Sequence, residues 1–199
     1  MSDKQRTIWP VVAIAATFAV GGLVFHMRAG VASERGAAME VKQITVEHVH
    51  FGSHKPFDQV TKAFQEQLGH EPESDTALAT GIDAEKLRTE LKAAEGSSGF
   101  MLFTSYNHGG LLRLAGQHRR AIQYVVGNPL FALEMTQHEI RDSLYAPLRV
   151  LIYEDGSGKT CVEYDKPSTL FGQFGNEQAT EIARMLDRKL EDLVRRSIQ

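Results

Sequence analysis

The chain has 199 residues, of which 42% are hydrophobic and 24% charged, so it can bury the core of one ordinary globular domain. Its formal net charge is −3 and it has no long basic run, which argues against a nucleic-acid-binding surface, because phosphate contacts need clustered Lys and Arg. The single cysteine, Cys161, excludes an intramolecular disulfide and a cysteine-based metal cluster.

The first feature in chain order is an uncharged apolar run, TIWPVVAIAATFAVGGLVF, over residues 7–25. A helix needs about 20 apolar residues to cross a bilayer, and Trp9 lies where an interfacial aromatic side chain is expected. We therefore predict that residues 1–28 form a signal anchor with one transmembrane helix. The alternative is a cleaved signal peptide, with its small-residue cleavage site at residues 30–32 or 36–38.

The basic residues around this run favour one orientation only slightly. Lys4 and Arg6 precede the run, and Arg28 and Arg35 follow it. Signal anchors usually leave a short N-terminal tail in the cytoplasm. We therefore expect a single-pass protein of a bacterial inner membrane, with its globular domain in the periplasm.

Small residues form a stripe along the predicted transmembrane helix. Ala15, Ala19 and Gly22 recur at helical spacing, and such a stripe lets two membrane helices approach closely. It indicates a partner helix, from another membrane protein or from a second copy of this chain. The alternative is that Ala and Gly are simply common in membrane helices.

Residues 29–40 are rich in Gly, Ala and Ser, which is typical of a flexible tether, and the predicted domain covers residues 41–199. The run VKQITVEHVHF predicts a first strand from the start of that domain. PFDQVTKAFQEQLG then predicts an amphipathic helix that ends at a glycine. Residues 70–98 begin polar and become helical after an N-cap at Asp83, and we interpret them as an insertion.

Strand-like runs dominate residues 99–165, where FMLF, AIQYVVG, PLRVLIYED and TCVEYD are separated by short helical pieces. A last amphipathic helix follows, capped by Asn176. This order of elements predicts an α+β fold. We expect a two-layer domain with a mainly antiparallel sheet covered by helices, preceded by one N-terminal transmembrane helix.

Three blocks of the predicted domain, SYNHGG, VVGNPL and APLRVLIYEDGSGKTCVEYD, resemble the DUF302 family. The resemblance covers residues 41–165 without the insertion, together with a helix after them, and it implies a small α+β fold with no assigned activity. Family members usually have Asp-His where this chain has Asn107-His108, and Asp-Leu-Pro-Leu where it has residues 145–148. Both differences remove a carboxylate, so a site built on those acids would be altered here.

His108 is the first candidate for chemistry, because it lies between a strand and a glycine-rich helix start. It would contact a ligand, or act as a general base with Tyr106 or Glu134. The alternative is a histidine that caps the helix or lies in the core.

A second candidate is the turn Gly127-Asn128-Pro129, which ends a strand and opens a helix. Its backbone N–H groups would point outward and hold an anion, although the same residues also have a structural role in turning the chain. Together, the predicted ligand-binding residues are Asn107, His108, Gly127, Asn128 and Tyr145.

Two further clusters of polar residues are less specific. His48 and His50 share one face of a strand and His54 follows in the turn, so the three would chelate a metal or simply be solvated. No motif that combines histidine with an acidic residue, such as HExxH, supports the metal interpretation, and we predict no cofactor. The basic residues Arg113, His118, Arg119 and Arg120 form a small patch, which we interpret as solvated surface.

No catalytic constellation is apparent, which favours a membrane-anchored extracytoplasmic domain that acts as a non-catalytic binding or accessory module. The first alternative is a subunit of a larger membrane protein complex, indicated by the small-residue stripe and the insertion. The second alternative is a small-molecule enzyme that uses His108.

The apolar run generates the first testable prediction. The full chain should fractionate with membranes and resist extraction by alkaline carbonate, because its apolar run is long enough to stay in the bilayer. A mature protein that starts near Ser33 or Met39 and is recovered in the soluble fraction would contradict the anchor.

Overall fold

The computed structural model describes residues 39–72 and 83–199. The predicted transmembrane helix with Ala15, Ala19 and Gly22 lies outside the described residues, as do most of the tether and the polar part of the predicted insertion. Within the described ranges, no helix is long and apolar enough to cross a membrane. The described residues from Gln43 to Gln199 form one compact unit.

One six-stranded sheet organises the described chain, with the spatial order β1-β6-β5-β4-β3-β2. Its strands are β1 (His48–Ser53), β2 (Gly69–His70), β3 (Met101–Asn107), β4 (Ala121–Gly127), β5 (Leu148–Glu154) and β6 (Thr160–Asp165). The α-helices are α1 (Phe57–Gln65), α2 (Ala84–Ala94), α3 (His108–Leu112), α4 (Pro129–Thr136), α5 (Pro167–Phe171) and α6 (Glu177–Ile198). Short 3-10 turns cover Arg113–Ala115, Ile140–Leu144 and Gly172–Phe174.

The α+β class is confirmed, but the sheet is mixed rather than mainly antiparallel. β2 runs parallel to β3, with Gly69 paired to Met101, while the other neighbouring strands are antiparallel. A strand of two residues has no periodicity to reveal it, and β2 lies where the sequence indicated a helix end and an insertion. The predicted first strand was also too long, since β1 begins only at His48.

The core lies between one face of the sheet and helices α1 and α6. Phe64 of α1 packs on Tyr124 of β4 with ring centroids 5.1 Å apart, and both side chains are fully buried. Leu190 and Leu193 are fully buried on α6, so the amphipathic stripe predicted for the last helix faces the sheet. Burial of each such side chain contributes about 1.5–3 kcal/mol.

The two ends of the sheet carry the predicted ligand-binding residues. Asn107 pairs with Ile122 near the start of β4, whereas Met101 pairs with Gly127 at its end. We call these the Asn107 end and the Gly127 end, and a strand of this length separates them by about 20 Å. β1 starts at the Gly127 end, because His48 pairs with Asp165 where β6 stops.

A close backbone crossing attaches the end of α2 to the sheet. The N–H groups of Gly69 and Gly96 both donate to the carbonyl oxygen of Phe100, at 2.9 and 3.1 Å. A Cβ atom added to Gly69 would overlap the carbonyl oxygen of Ala94, and one added to Gly96 would overlap that of Gln67. Only glycines fit where these two segments cross.

Gly69→Ala should therefore lower the free energy of unfolding by about 1–3 kcal/mol, because backbone atoms must move to admit the methyl group. Urea denaturation measures the change. The matched control is Gly156→Ala in the β5–β6 turn, where an added Cβ meets nothing within 4 Å, and it should be neutral or stabilise by less than about 1 kcal/mol. Equal unfolding midpoints for the two variants would refute the crossing.

Candidate functional site

An apolar groove lies at the Gly127 end of the sheet, between α2, α4 and the 3-10 turn that precedes β5. Its volume is about 520 Å³, within the 300–1,000 Å³ range of small-molecule sites. Aromatic and aliphatic side chains dominate the lining, among them Phe100, Phe103, Phe131, Met135, Leu148 and Phe171. α2 adds Leu87 and Leu91 from the predicted insertion.

The turn Gly127-Asn128-Pro129 builds one wall of this groove. Gly127 leaves room for Phe103, since an added Cβ would lie 2.8 Å from its Cε2 atom. Asn128 is buried and caps α4, with its Oδ1 accepting from the N–H of Leu130 at 2.8 Å. Its Nδ2 donates to Glu95 Oε1 at 2.7 Å and to the Gly99 carbonyl at 2.9 Å. Both amide protons of Asn128 are thus used within the protein.

Tyr145 lies behind the groove wall rather than in its lining. Its ring centroid is 6.4 Å from that of Phe171, with the rings nearly perpendicular, and 6.0 Å from that of Phe174. Phe171 in turn lines the groove. The following residues, Ala146 and Pro147, are joined by a cis peptide bond and line the groove directly.

Asp142 is a buried acidic residue beside the groove, and nothing in the sequence signals its burial. It lies in the 3-10 turn beside the groove, is fully buried, and neither carboxylate oxygen has a hydrogen-bond partner among the described residues. The pKa of Asp142 is raised to about 6, mainly by burial and also by the nearby Glu139, while Arg141 opposes the shift. Its neighbour Ser143 lines the groove.

At the Asn107 end, the side chain of Asn107 caps α3, with Oδ1 accepting from the N–H of Gly110 at 2.8 Å. His108 is exposed, and its ring lies 6.5 Å from that of Tyr106. Glu134 belongs to α4, which starts at the opposite end of β4, so the structure brings His108 to Tyr106 but not to Glu134. The predicted ligand-binding residues are therefore split between the two ends.

His48 lies between two carboxylates on the sheet. Its Nδ1 is 2.9 Å from Asp165 Oδ1 and its Nε2 is 3.2 Å from Glu163 Oε2, while His50 Nε2 is 3.8 Å from Glu163 Oε1. The bond to Asp165 raises the pKa of His48, against a smaller opposing effect of burial. His54 lies beyond the end of β1. Within residues 39–72 and 83–199, no cluster of three or more His, Cys, Asp or Glu could hold a metal ion.

The buried carboxyl of Asp142 predicts a pH-dependent stability. Its folded pKa lies above the ~3.9 of an unfolded aspartate, so the folded protein binds the proton more tightly. The free energy of unfolding therefore falls as pH rises from about 4 to about 6, and this loss persists at higher pH. Asp142→Asn, isosteric with the protonated acid, should become progressively more stable relative to the wild type across this window.

Urea denaturation at about pH 4.5 and about pH 7.5 measures this effect, and the stability gap should widen by about 2 kcal/mol between them. Asp192→Asn, at an exposed position of α6, is the control and should show a constant gap. A gap for Asp142→Asn that does not change with pH would show that the carboxyl is solvated or paired.

The chain matches a known protein family. A model described as "Domain of unknown function DUF302" matches residues 76–196, a range that starts inside the predicted insertion. The interpretation of residues 70–98 as an insertion relative to the family therefore stays a prediction. No curated protein matches the chain.

A solved structure also matches, "Crystal structure of uncharacterized conserved protein DUF302 from Bacillus stearothermophilus", with a TM-score of 0.54. The match covers 75% of this chain and 97% of the other, and the sequence identity of 16% makes it evidence for the fold alone. Because the family model spans more than half of the sequence, the chain belongs to the DUF302 family.

Proposed function

We propose that this chain is a membrane-anchored, non-catalytic binding module whose ligand occupies the apolar groove at the Gly127 end. The observation that supports it is the groove itself: a concave space of about 520 Å³ with an aromatic and aliphatic lining. Such a space in a folded domain is the default location of a small-molecule ligand.

The lining indicates the class of ligand. Asn128 uses both amide protons within the protein, and the hydroxyl of Thr136 donates to the Ala132 carbonyl at 2.8 Å. None of the described lining residues is ionisable. A charged group placed in this groove would lose its hydration without gaining a partner. The ligand is therefore an uncharged, mainly hydrocarbon molecule.

The same lining supports binding rather than catalysis. General acid–base chemistry requires a titratable side chain within hydrogen-bond reach of the reacting atoms, and the described lining residues supply none. Ser143 has no histidine or lysine beside it in that lining to activate its hydroxyl.

The predicted anchor suits an apolar ligand, because the bilayer is the place where such molecules collect. The chain enters the domain at the end of the sheet that carries the groove. There the N–H of Glu47 donates to Thr169 Oγ1 at 3.2 Å, and Lys166 Nζ donates to the carboxylate of Glu47 at 2.7 Å. In this proposal the domain is periplasmic and accepts its ligand from the inner membrane.

Exposed apolar side chains near the groove favour a second candidate, a subunit of a larger membrane complex. Ile140 is 72% exposed and Leu144 is 74% exposed on the 3-10 turn that borders the groove, and Leu133 of α4 is 43% exposed. Large apolar side chains grouped in this way mark interaction surfaces. A partner subunit would cover this turn.

Photolabelling of the full chain in native membranes tests the groove. A long-chain alcohol carrying a diazirine and an alkyne should label the peptide that contains α4, and Ala132→Trp should reduce that label at least tenfold because the indole fills the groove. The matched control, Ala115→Trp, adds the same side chain at an exposed position near the Asn107 end and should leave the label unchanged.

Equal labelling of α4 in the Ala132→Trp variant and in the wild type would refute the groove as the ligand site. The same labelling experiment in native membranes distinguishes the ligand-binding module from the subunit of a larger complex. Ile140→Ser combined with Leu144→Ser should release a partner subunit if the second candidate holds, whereas the first candidate predicts that this variant keeps its label.

A further inference from the structure

A second, much smaller pocket lies at the Asn107 end, about 20 Å along β4 from the groove. Its volume is about 150 Å³, too small for a typical small-molecule ligand but sufficient for a single tetrahedral or planar anion. Four basic residues line it: Arg113, His118, Arg119 and Arg120. No carboxylate is among the described lining residues.

Arg120 is held in place in the wall of this pocket by two carboxylates. Arg120 donates from Nη1 to Asp58 Oδ2 at 2.7 Å and from Nη2 to Glu154 Oε1 at 2.8 Å. Its guanidinium also lies 4.6 Å from the ring centroid of Phe57, which lines the same pocket. The bond to Glu154 raises the pKa of Arg120, with Asp58 adding to the effect. The charge of Arg120 is thus largely neutralised.

The charges of Arg113 and Arg119 have no such compensation. Arg119 Nη2 donates to the neutral side-chain oxygen of Gln117 at 2.9 Å, and within the described chain neither arginine forms an ion pair with a carboxylate. Two uncompensated guanidinium groups and an imidazole therefore surround one small concave space. Guanidinium groups bind phosphate and carboxylate oxygens through parallel hydrogen bonds, so the arrangement is complementary to a compact oxyanion.

Gly109 fixes the size of this pocket. It is buried, and an added Cβ would lie 2.7 Å from the backbone nitrogen of Ala121 and 2.8 Å from the carbonyl oxygen of Arg119. α3, which Arg113 follows directly, is thereby held against the segment that carries His118 and Arg119. Basic residues that are separate in sequence share one pocket because of this contact.

We propose that the pocket lined by Arg113, His118 and Arg119 binds a phosphate group, with the two arginines as its principal ligands. The site is independent of the groove and does not rest on the function proposed for it. The phosphate would belong either to a soluble molecule or to a lipid headgroup. Leu111 and Leu114, which are 63% and 89% exposed beside Arg113, are placed to contact acyl chains in the second case.

Equilibrium dialysis of the full chain in an uncharged detergent against radiolabelled inorganic phosphate tests the site. Binding should be saturable at one phosphate per chain and should weaken at least tenfold when Arg113→Gln and Arg119→Gln are combined. Arg188→Gln, an exposed arginine on α6, is the control of equal charge change and should bind as the wild type does. Arg119→Lys alone should give an intermediate loss, because it keeps the charge but not the paired donors.

A second arm identifies the source of the phosphate. The chain is placed in nanodiscs of phosphatidylcholine alone or with phosphatidic acid, whose headgroup is a phosphate monoester. If the headgroup is the ligand, phosphatidic acid should compete with labelled phosphate, and Leu114→Ser should weaken this competition without changing the binding of free phosphate. Failure of phosphatidic acid to compete identifies a soluble ligand.

The proposal is overturned if no saturable phosphate binding occurs, or if the double variant binds like the Arg188→Gln control while its thermal unfolding shows that it is folded.

Discussion

The buried amide of Asn128 is the constraint on which the Gly127 end depends. Its three hydrogen bonds join the start of α4 to the carbonyl of Gly99, which precedes β3, and to Glu95 at the end of α2. Each buried polar group left unpaired would cost about 1–3 kcal/mol, so these segments hold a single arrangement. Since α2, α4 and the start of β3 line the groove, the hydrogen bonds of one side chain join three of the segments that form it.

The opposite end of the sheet is held by charge rather than by a buried amide. Arg120 joins Asp58, near the start of α1, to Glu154 at the end of β5. The side chains of Arg120 and Asp58 are 42% and 80% exposed, so the ion pair between them contributes little stability on its own. Their structural effect is to fix the direction of the chain just before β4. The two ends thus differ in character, since one is lined by apolar side chains and the other by basic ones.

Much of the fold could be predicted from the sequence because it rests on local patterns. The apolar stripes of α1 and α6, the N-caps at Asp83 and Asn176, and the turn into α4 all follow from residues close together in the chain. β2 could not be predicted, since its pairing with β3 crosses some thirty residues and depends on the crossing of Gly69 and Gly96.

The candidate sites were harder to predict for the same reason. Gly127 and Asn128 were predicted to bind a ligand, and the structure places both at a groove, but the groove owes its apolar lining to elements that are distant in sequence. The patch around Arg113 was interpreted as ordinary solvated surface. The sequence does not reveal that the backbone at Gly109 packs closely against the segment of Arg119, which brings Arg113 near His118 and Arg119. The burial of Asp142 has no sequence signal either, since aspartate in a short turn is normally exposed.

The short pairing of β2 has a consequence for the solubility of the domain. β2 covers β3 only at Met101 and Leu102, so the rest of β3 is a sheet edge with no partner strand in the described chain. A free edge invites another molecule to add a strand and begin aggregation. Here the register shifts between Leu102 and Thr104, and residues 104–107 are exposed and mostly polar. The bulge and the helix start at His108 leave only a few residues of β3 able to pair, which protects this edge of the sheet from adding a strand of another copy.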